Sequence, residues 1–206
     1  MSSLTGFIYD RVMAQAEVAC LRDWRRELLA GLQGSVLEIG AGTGANLAFY
    51  PAAVQRIVLC EPDPGMRGAL TARAGALQRA VEIRPITAET LDFPDASFDH
   101  AVSTLVCCSV GDPARALAQI RRVLKPGGSL VFLEHVAAWD DPGRRRWQDR
   151  LNPLWRRLAS NCHLNRETEQ AIRAAGFAME RIQRESMRKI IPLVRPSIRG
   201  VARKPA

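Results

Sequence analysis

Short apolar runs that alternate with helix-like segments constrain this chain more than any other feature. SVLEI at 35–39, RIVLC at 56–60, VEIRP at 81–85, FDHAVS at 98–103 and SLVFLE at 129–134 read as buried strands. Candidate helices lie between them, over Gly44 to Phe49, Pro64 to Arg73 and Asp112 to Leu124. The third carries its own punctuation: Asp112 as N-cap, Pro113 at the first helical position, and Lys125-Pro126-Gly127-Gly128 as the stop. Such alternation predicts an α/β chain whose mostly parallel sheet has helices on both faces. Right-handed crossovers then bring every strand-to-helix loop to one edge of the sheet, where ligands bind.

The flanking segments complete this plan. Val12, Ala16, Ala19, Leu21, Leu28 and Leu29 give residues 7–32 helical spacing, so 1–34 is expected to form a helical cap across or beside the sheet's mouth. An irregular arginine- and tryptophan-rich insert, 137–164, follows the fifth strand, and within it Asn152-Pro153 should restart a helix rather than continue one. A helix from Arg166 to Ala175 closes at Gly176, and strands at 179–185 and 197–203 bring the sheet to seven. There is no internal repeat or low-complexity linker. With 206 residues, 47% of them hydrophobic, the expectation is one domain, 1–206, with the 137–164 segment as a lid-like insert.

Composition narrows the classes. No apolar run approaches the ~18 residues that cross a bilayer, and MSSLTGFIYDRVMAQAEVACLRDW lacks the layout of a signal peptide. The expected address is therefore cytoplasmic. Five cysteines, an odd number with two adjacent, suit a reduced compartment better than a disulfide framework. The net charge of +8 thickens after residue 143 and permits attraction to polyanions without requiring it. Aromatic and basic residues are not interleaved on a strand pattern, so no nucleic-acid partner is expected.

Gly40, Gly42 and Gly44 follow the first strand directly, giving a loop that lets a ligand approach the main chain. Gly40, Gly42 and Ala45 also satisfy a variant dinucleotide fingerprint, and Glu61 stands about 20 residues on, where a ribose carboxylate belongs in either reading. Glu38 separates the two. A carboxylate at the strand's end repels pyrophosphate but receives an ammonium group, or orders water beside one. A ligand with ribose, adenine and an amino acid but no phosphate fits that polarity, and S-adenosylmethionine is such a ligand.

VLEIGAGTGAN, LCEPDPGM, TAETLDFPDASFDHAVS and RRVLKPGGSLVFLEH, in that order over about 36–135, resemble the class I S-adenosylmethionine-dependent methyltransferases. The resemblance implies a Rossmann-like fold and S-adenosylmethionine as cofactor, with S-adenosylhomocysteine as product. It implies that Glu38, Gly40, Ala41, Gly42 and Asn46 surround the methionine part and ribose, and that Glu61 takes the ribose hydroxyls. Pro62 and Met66 would lie near the adenine, and Ala88 and Glu89 at its edge, where Thr87 stands in place of the acid such enzymes often carry. Thr104 and Leu105 would line the methionine portion, and Tyr9 would close over the cofactor. GTGANLAFYP, STLVCCSVGDP, PGGSLVFLEHVAAW, NCHLNRET and VRPSIRG resemble more narrowly the methyltransferase-like alkyl thiol S-methyltransferases. That subgroup implies a small thiol as acceptor. Glu61 replaces its aspartate, and the hydrophobic N-terminal anchor of its animal members is not seen here, so a membrane address does not carry over. A phospholipid or small-molecule N- or O-acceptor is the alternative, and a non-catalytic RNA- or membrane-binding protein the contrasting class.

His135, after the fifth strand, is the candidate general base or substrate orienter, with Glu134 beside it as an ordering carboxylate. His100 reads as packed and His163 as a loop residue of the insert. Cys107 and Cys108 follow the fourth strand and can face the substrate, with Cys162 a candidate third member; a trio of this kind captures arsenic in arsenite methyltransferases, but without C-x-x-C spacing soft packing is expected rather than a metal. Trp139 and Trp147 offer apolar area to a substrate. The stretch 139–158, apolar on one face and arginine-rich on the other, fits either a lid or a peripheral membrane contact.

Overall fold

The computed structural model describes residues 3–206. Two helices, α1 (Ser3–Ala16) and α2 (Arg22–Leu29), are joined by a π-helical turn, Glu17–Leu21. The chain then alternates: β1 (Gly34–Ile39), β2 (Val54–Cys60), α3 (Pro64–Ala76), β3 (Glu82–Arg84), β4 (Phe98–Thr104), α4 (Pro113–Val123) and β5 (Leu124–His135). The insert and tail supply α5 (Pro142–Leu158), α6 (Thr168–Ala174), β6 (Ala178–Ser186) and β7 (Pro196–Arg203). The seven strands lie in the order β3-β2-β1-β4-β5-β7-β6. All pairings are parallel except those of β7, which runs antiparallel to β5 and β6. The expected α/β class and seven-stranded, mostly parallel sheet are what the chain forms.

Side chains alternate across this sheet. Leu37, Ile39, Val58, Phe98 and Phe132 point to one face, where Leu117 and Ile120 of α4 and Ile172 of α6 cover them. Val36, Ile57, Leu59, Val102 and Leu133 point to the other, under Leu28 and Leu29 of α2 and Leu70 of α3. Helix starts follow local chemistry: Asp63, Asp112 and Asp141 each accept from the backbone N–H three residues on, with proline at the first helical turn.

Two local expectations fail for identifiable reasons. Gly44 to Phe49 does not make a helix; only a 3₁₀ turn forms at Leu47–Phe49. Gly44 is held at φ +84°, where a Cβ would meet Leu47 and Leu70 at 2.8 Å, and Asn46 and Tyr50 must both reach Glu38. In the insert, Pro153 sits inside α5 instead of restarting it. Gln148, fully buried, anchors that helix by accepting from Ala138 N at 2.7 Å and donating to the carbonyls of Leu193 (2.8 Å) and Val136 (3.2 Å). Tertiary anchoring thus outweighs the lost helical bond. Among the described residues no helix is long and apolar enough to cross a membrane.

Candidate active site

Glu38 ends β1 at the centre of the sheet, in register with Leu59 of β2 and Val102 of β4. Both its oxygens are engaged: Asn46 Nδ2 donates to Oε1 at 2.8 Å and Tyr50 Oη to Oε2 at 2.6 Å. Burial pushes its carboxyl up to about 7, although Tyr50, Asn46 and Arg25 pull the other way. Glu61, after β2, is also buried and also saturated, accepting from Gly42 N and Asp63 N at 2.8 Å each. Its carboxyl is likewise raised by burial. The glycine loop is therefore tied down at both acids.

The glycines differ in what they make room for. A Cβ on Gly40 (φ +55°) would strike Val106 at 2.6 Å, a packing constraint. At Gly42 (φ +58°) the nearest atom to a Cβ is 4.0 Å away, so the space there opens to a ligand. Two of the loop's backbone N–H groups are already spent, Gly42 N on Glu61 and Gly44 N on Ala41 O. The loop suits a ribose and an amino-acid end better than a pyrophosphate.

Across the pocket stands Arg25 of α2, only 3% exposed. It donates to Asn46 Oδ1 at 2.8 Å and to Thr104 Oγ1 at 3.1 Å, and pairs with Glu17 of the π turn at 2.9 Å. Thr104 also accepts from Asn46 at 3.0 Å. Leu105 follows in the left-handed region (φ +60°), which costs a non-glycine residue about 1–3 kcal/mol and clusters at functional sites. Asp10 fastens α1 to the loop, accepting from Thr43 Oγ1 (2.6 Å) and Arg73 (2.8 Å). Tyr9 precedes Asp10 on α1 and is about one-third exposed.

Of the residues expected around an adenine, Ala88 is buried, Met66 half-buried and Pro62 exposed, and Ala41 of the loop is buried. Glu89 is not a free acid: its Oε1 accepts from Gly111 N at 2.8 Å. Burial pushes its carboxyl up, but those backbone bonds outweigh it and hold it below the usual range.

On the acceptor side, Glu134 is fully buried and accepts from Ser103, Val106 N and Cys107 N, which fits its expected ordering role. Cys107 is not brought to His135. Its sulfur lies 3.4 Å from Ser103 Oγ, and the residue lines a small cavity of about 150 Å³ with Leu117 of α4 and Thr168 and Ala171 of α6. Cys108 and Cys162 are brought there: with His135 they offer donor atoms all within 4.8 Å of one another. His135 Nε2 stands 3.0 Å from Cys162 Sγ, while its buried Nδ1 has no partner among the described residues. His100 packs against Ser129 (2.7 Å), and His163 is lowered to about 4 by burial and two arginines. Trp139 and Trp147 are about half exposed, and a shallow cleft lined by Trp139, Arg145 and Gln170 reaches none of the glycine loop.

Residues 37–132 match the family model described as methyltransferase domain. The human thiol S-methyltransferase TMT1A is 36% identical over 191 residues, covering 87% of this chain and 78% of the relative. The chain belongs to the class I S-adenosylmethionine-dependent methyltransferases. Human thiol S-methyltransferase TMT1B is 35% identical over 172 residues, 78% of this chain and 70% of the relative. A phosphatidylethanolamine N-methyltransferase of Cereibacter sphaeroides is 33% identical over 108 residues, half of this chain. In fold, a putative methyltransferase from Bacillus halodurans superposes with a TM-score of 0.73 at 18% identity, covering 90% of this chain and 100% of that one.

Three members of the buried network around Glu38 and Asn46 escape a reading by motif: Arg25, Glu17 and Tyr50. Arg25 does leave a trace, because it falls four residues after Leu21 and four before Leu29, on the apolar stripe of its helix. A cation on a buried stripe signals a buried partner.

Proposed function

We propose that this methyltransferase moves a methyl group from S-adenosylmethionine to the sulfur of a small thiol. The observation that carries the acceptor is the extent of the likeness to TMT1A. It takes in 87% of this chain, well beyond residues 37–132, so it includes acceptor-side segments and not the cofactor half alone.

Glu61 holds the ribose hydroxyls, and Gly40, Ala41, Gly42, Asn46, Thr104 and Leu105 surround the methionine portion. Glu38 faces the ammonium end through Asn46, and Arg25 offers the countercharge for the cofactor's carboxylate. Pro62, Met66, Ala88 and Glu89 flank the adenine, and Tyr9 closes the pocket from α1. When bound, the cofactor supplies an electrophilic methyl group on a sulfonium. The protein's part is alignment and the exclusion of water, since a thiol at neutral pH is already a few per cent thiolate.

The test is transfer of labelled methyl to a panel of thiols, amines, phenols and phospholipids. Label in a thioether is the expected result, and label on amines alone would overturn the thiol reading.

A further inference from the structure

We propose that Cys108, His135 and Cys162 form a three-ligand site for Zn²⁺ whose open fourth position takes the sulfur of the acceptor thiol. The proposal rests on the thiol reading above and deepens it.

The three residues come from separate segments: the loop after β4, the end of β5, and the turn after α5. That turn is fastened to the β4 loop by His163 N donating to Cys108 O at 2.8 Å and Asn161 Nδ2 donating to Ser109 O at 2.9 Å. Ala137 N donates to Arg166 O at 2.9 Å and ties the same turn to the end of β5. Ser160 and Asn161 are both in the left-handed region (φ +48° and +62°), and their bend returns Cys162 to His135. The result is two sulfurs and an imidazole nitrogen within 4.8 Å of one another. Tetrahedral zinc with Zn–S about 2.3 Å and Zn–N about 2.0–2.1 Å sets ligand-to-ligand distances of about 3.5–3.8 Å. The 3.0 Å from His135 Nε2 to Cys162 Sγ needs to open by about half an ångström, and the widest pair, up to 4.8 Å, to close by about one.

His135 is a poor general base here. A base is oriented by a third group, and its buried Nδ1 has no such partner among the described residues. A metal bond at Nε2 would supply the fixation that the protein does not. Two thiolates and a neutral imidazole balance a divalent cation. Three protein ligands with one position left open is the pattern of a working zinc site rather than a closed structural one. The site also lies at the same edge of the sheet as the glycine loop, since β1, β4 and β5 are neighbouring parallel strands and the loop, Cys108 and His135 stand at their C-terminal ends.

The chemistry balances without a further reagent. The acceptor thiol releases its proton to solvent as its sulfur takes the fourth position. A sulfur lone pair then bonds to the methyl carbon while the carbon–sulfonium bond breaks. That bond's electrons stay on the sulfur of S-adenosylhomocysteine, and the neutral thioether leaves as a weak ligand.

Zinc content after equilibration with ZnCl₂ and gel filtration tests the site without any turnover. About one Zn²⁺ per chain is expected for the unaltered protein and for Cys20→Ser, a distant buried control, and below about a tenth for Cys162→Ser and Cys108→Ser. S-adenosylhomocysteine binding shows that each variant is folded. With Co²⁺ in place of Zn²⁺, thiolate-to-cobalt absorption should appear and the d–d bands should shift when a small thiol is added. Absence of metal, or retention in both cysteine variants, overturns the site. Metal loading with no spectral change on thiol addition overturns its role in acceptor binding. Labelled thioether formed by metal-free protein overturns this inference and leaves the thiol reading standing. A loaded site with methyl transfer only to amines overturns the thiol reading instead.

Discussion

The two halves of the pocket are built on opposite principles. On the cofactor side Glu38 and Glu61 each have both oxygens satisfied by the chain itself, and Arg25 bridges Asn46, Thr104 and Glu17. At the end of β5 and in the segment after it, His135 Nδ1, Trp155 Nε1, Arg166 Nε and Thr168 Oγ1 are buried without partners among the described residues, as are Arg121 Nε and Arg199 Nε elsewhere. A saturated network is preorganised and costs little to use, whereas an unsaturated one carries a desolvation penalty that only a ligand, ion or water relieves. The network of Glu38 and Glu61 is thus complete by itself. The His135 cluster gains most from a partner.

Glu38 should expose this difference most strongly, through pH. Burial raises its carboxyl from 4.5 to about 7. The folded protein therefore holds a proton that the unfolded chain gives up, and stability falls as pH rises from about 4.5 to about 7. At 1.4 kcal/mol per unit the loss is about 3 kcal/mol. Urea midpoints measured from pH 4.5 to 8 should fall accordingly, and Glu38→Gln should flatten the slope. Glu61 and Glu134, also raised by burial, act in the same direction. An unchanged slope in Glu38→Gln would mean that the network holds this group ionised throughout.

Glu61→Ala comes next in size. It removes the acceptor for Gly42 N and Asp63 N as well as the proposed ribose ligand. Loss of charge-assisted bonds of 1.5–3 kcal/mol should weaken S-adenosylhomocysteine binding about 100-fold by calorimetry. A loss under about threefold would show that loop shape, and not the carboxylate, does the recognising.

The sequence exposes these two halves unequally for a physical reason. Glu38, the glycines, Asn46 and Glu61 lie within one strand–loop–strand unit, so their spacing already states their geometry. The alternation of strands and helices is similarly local, because period and capping are properties of short segments. Cys108, His135 and Cys162 are brought together by contacts between distant segments, and nothing in their spacing announces it. The adjacent pair Cys107-Cys108 shows the limit. Both follow the same strand, yet the chain turns one sulfur to Ser103 and the other to His135, a choice set by Glu134 capping Cys107 N. Pro153 inside α5 was hidden in the same way, since the anchoring by Gln148 is not a local property.

Arg25→Ala is expected to act on the cofactor side alone. It leaves Asn46 Oδ1 without its donor and Thr104 with the Asn46 bond alone, but Glu17, about a quarter exposed, can return to water, so the stability loss should stay near 1–2 kcal/mol. Cofactor affinity should fall about 10-fold to 30-fold if Arg25 meets the carboxylate. The decisive readout is a ligand comparison. The variant should lose most of its preference for S-adenosylhomocysteine over its decarboxylated analogue, and a preserved preference would assign Arg25 to positioning of Asn46 instead.

The smallest effect is expected at Trp147, on the outer face of α5. Its ring is 55% exposed, and the guanidinium of Arg150 lies 5.6 Å from its centroid. An exposed cation–π contact contributes about 0.5–1 kcal/mol, and much of that is offset when Arg150 is freed to water. Trp147→Ala should therefore shift the urea midpoint by less than about 0.5 kcal/mol and leave S-adenosylhomocysteine affinity unchanged. The KM for acceptors of increasing bulk is the sharper measurement. If α5 only carries the turn that delivers Cys162, KM should be indifferent to Trp147 for every acceptor. A KM that rises with acceptor size would make the tryptophan face part of the acceptor wall, and would extend the unsaturated half of the pocket onto the insert.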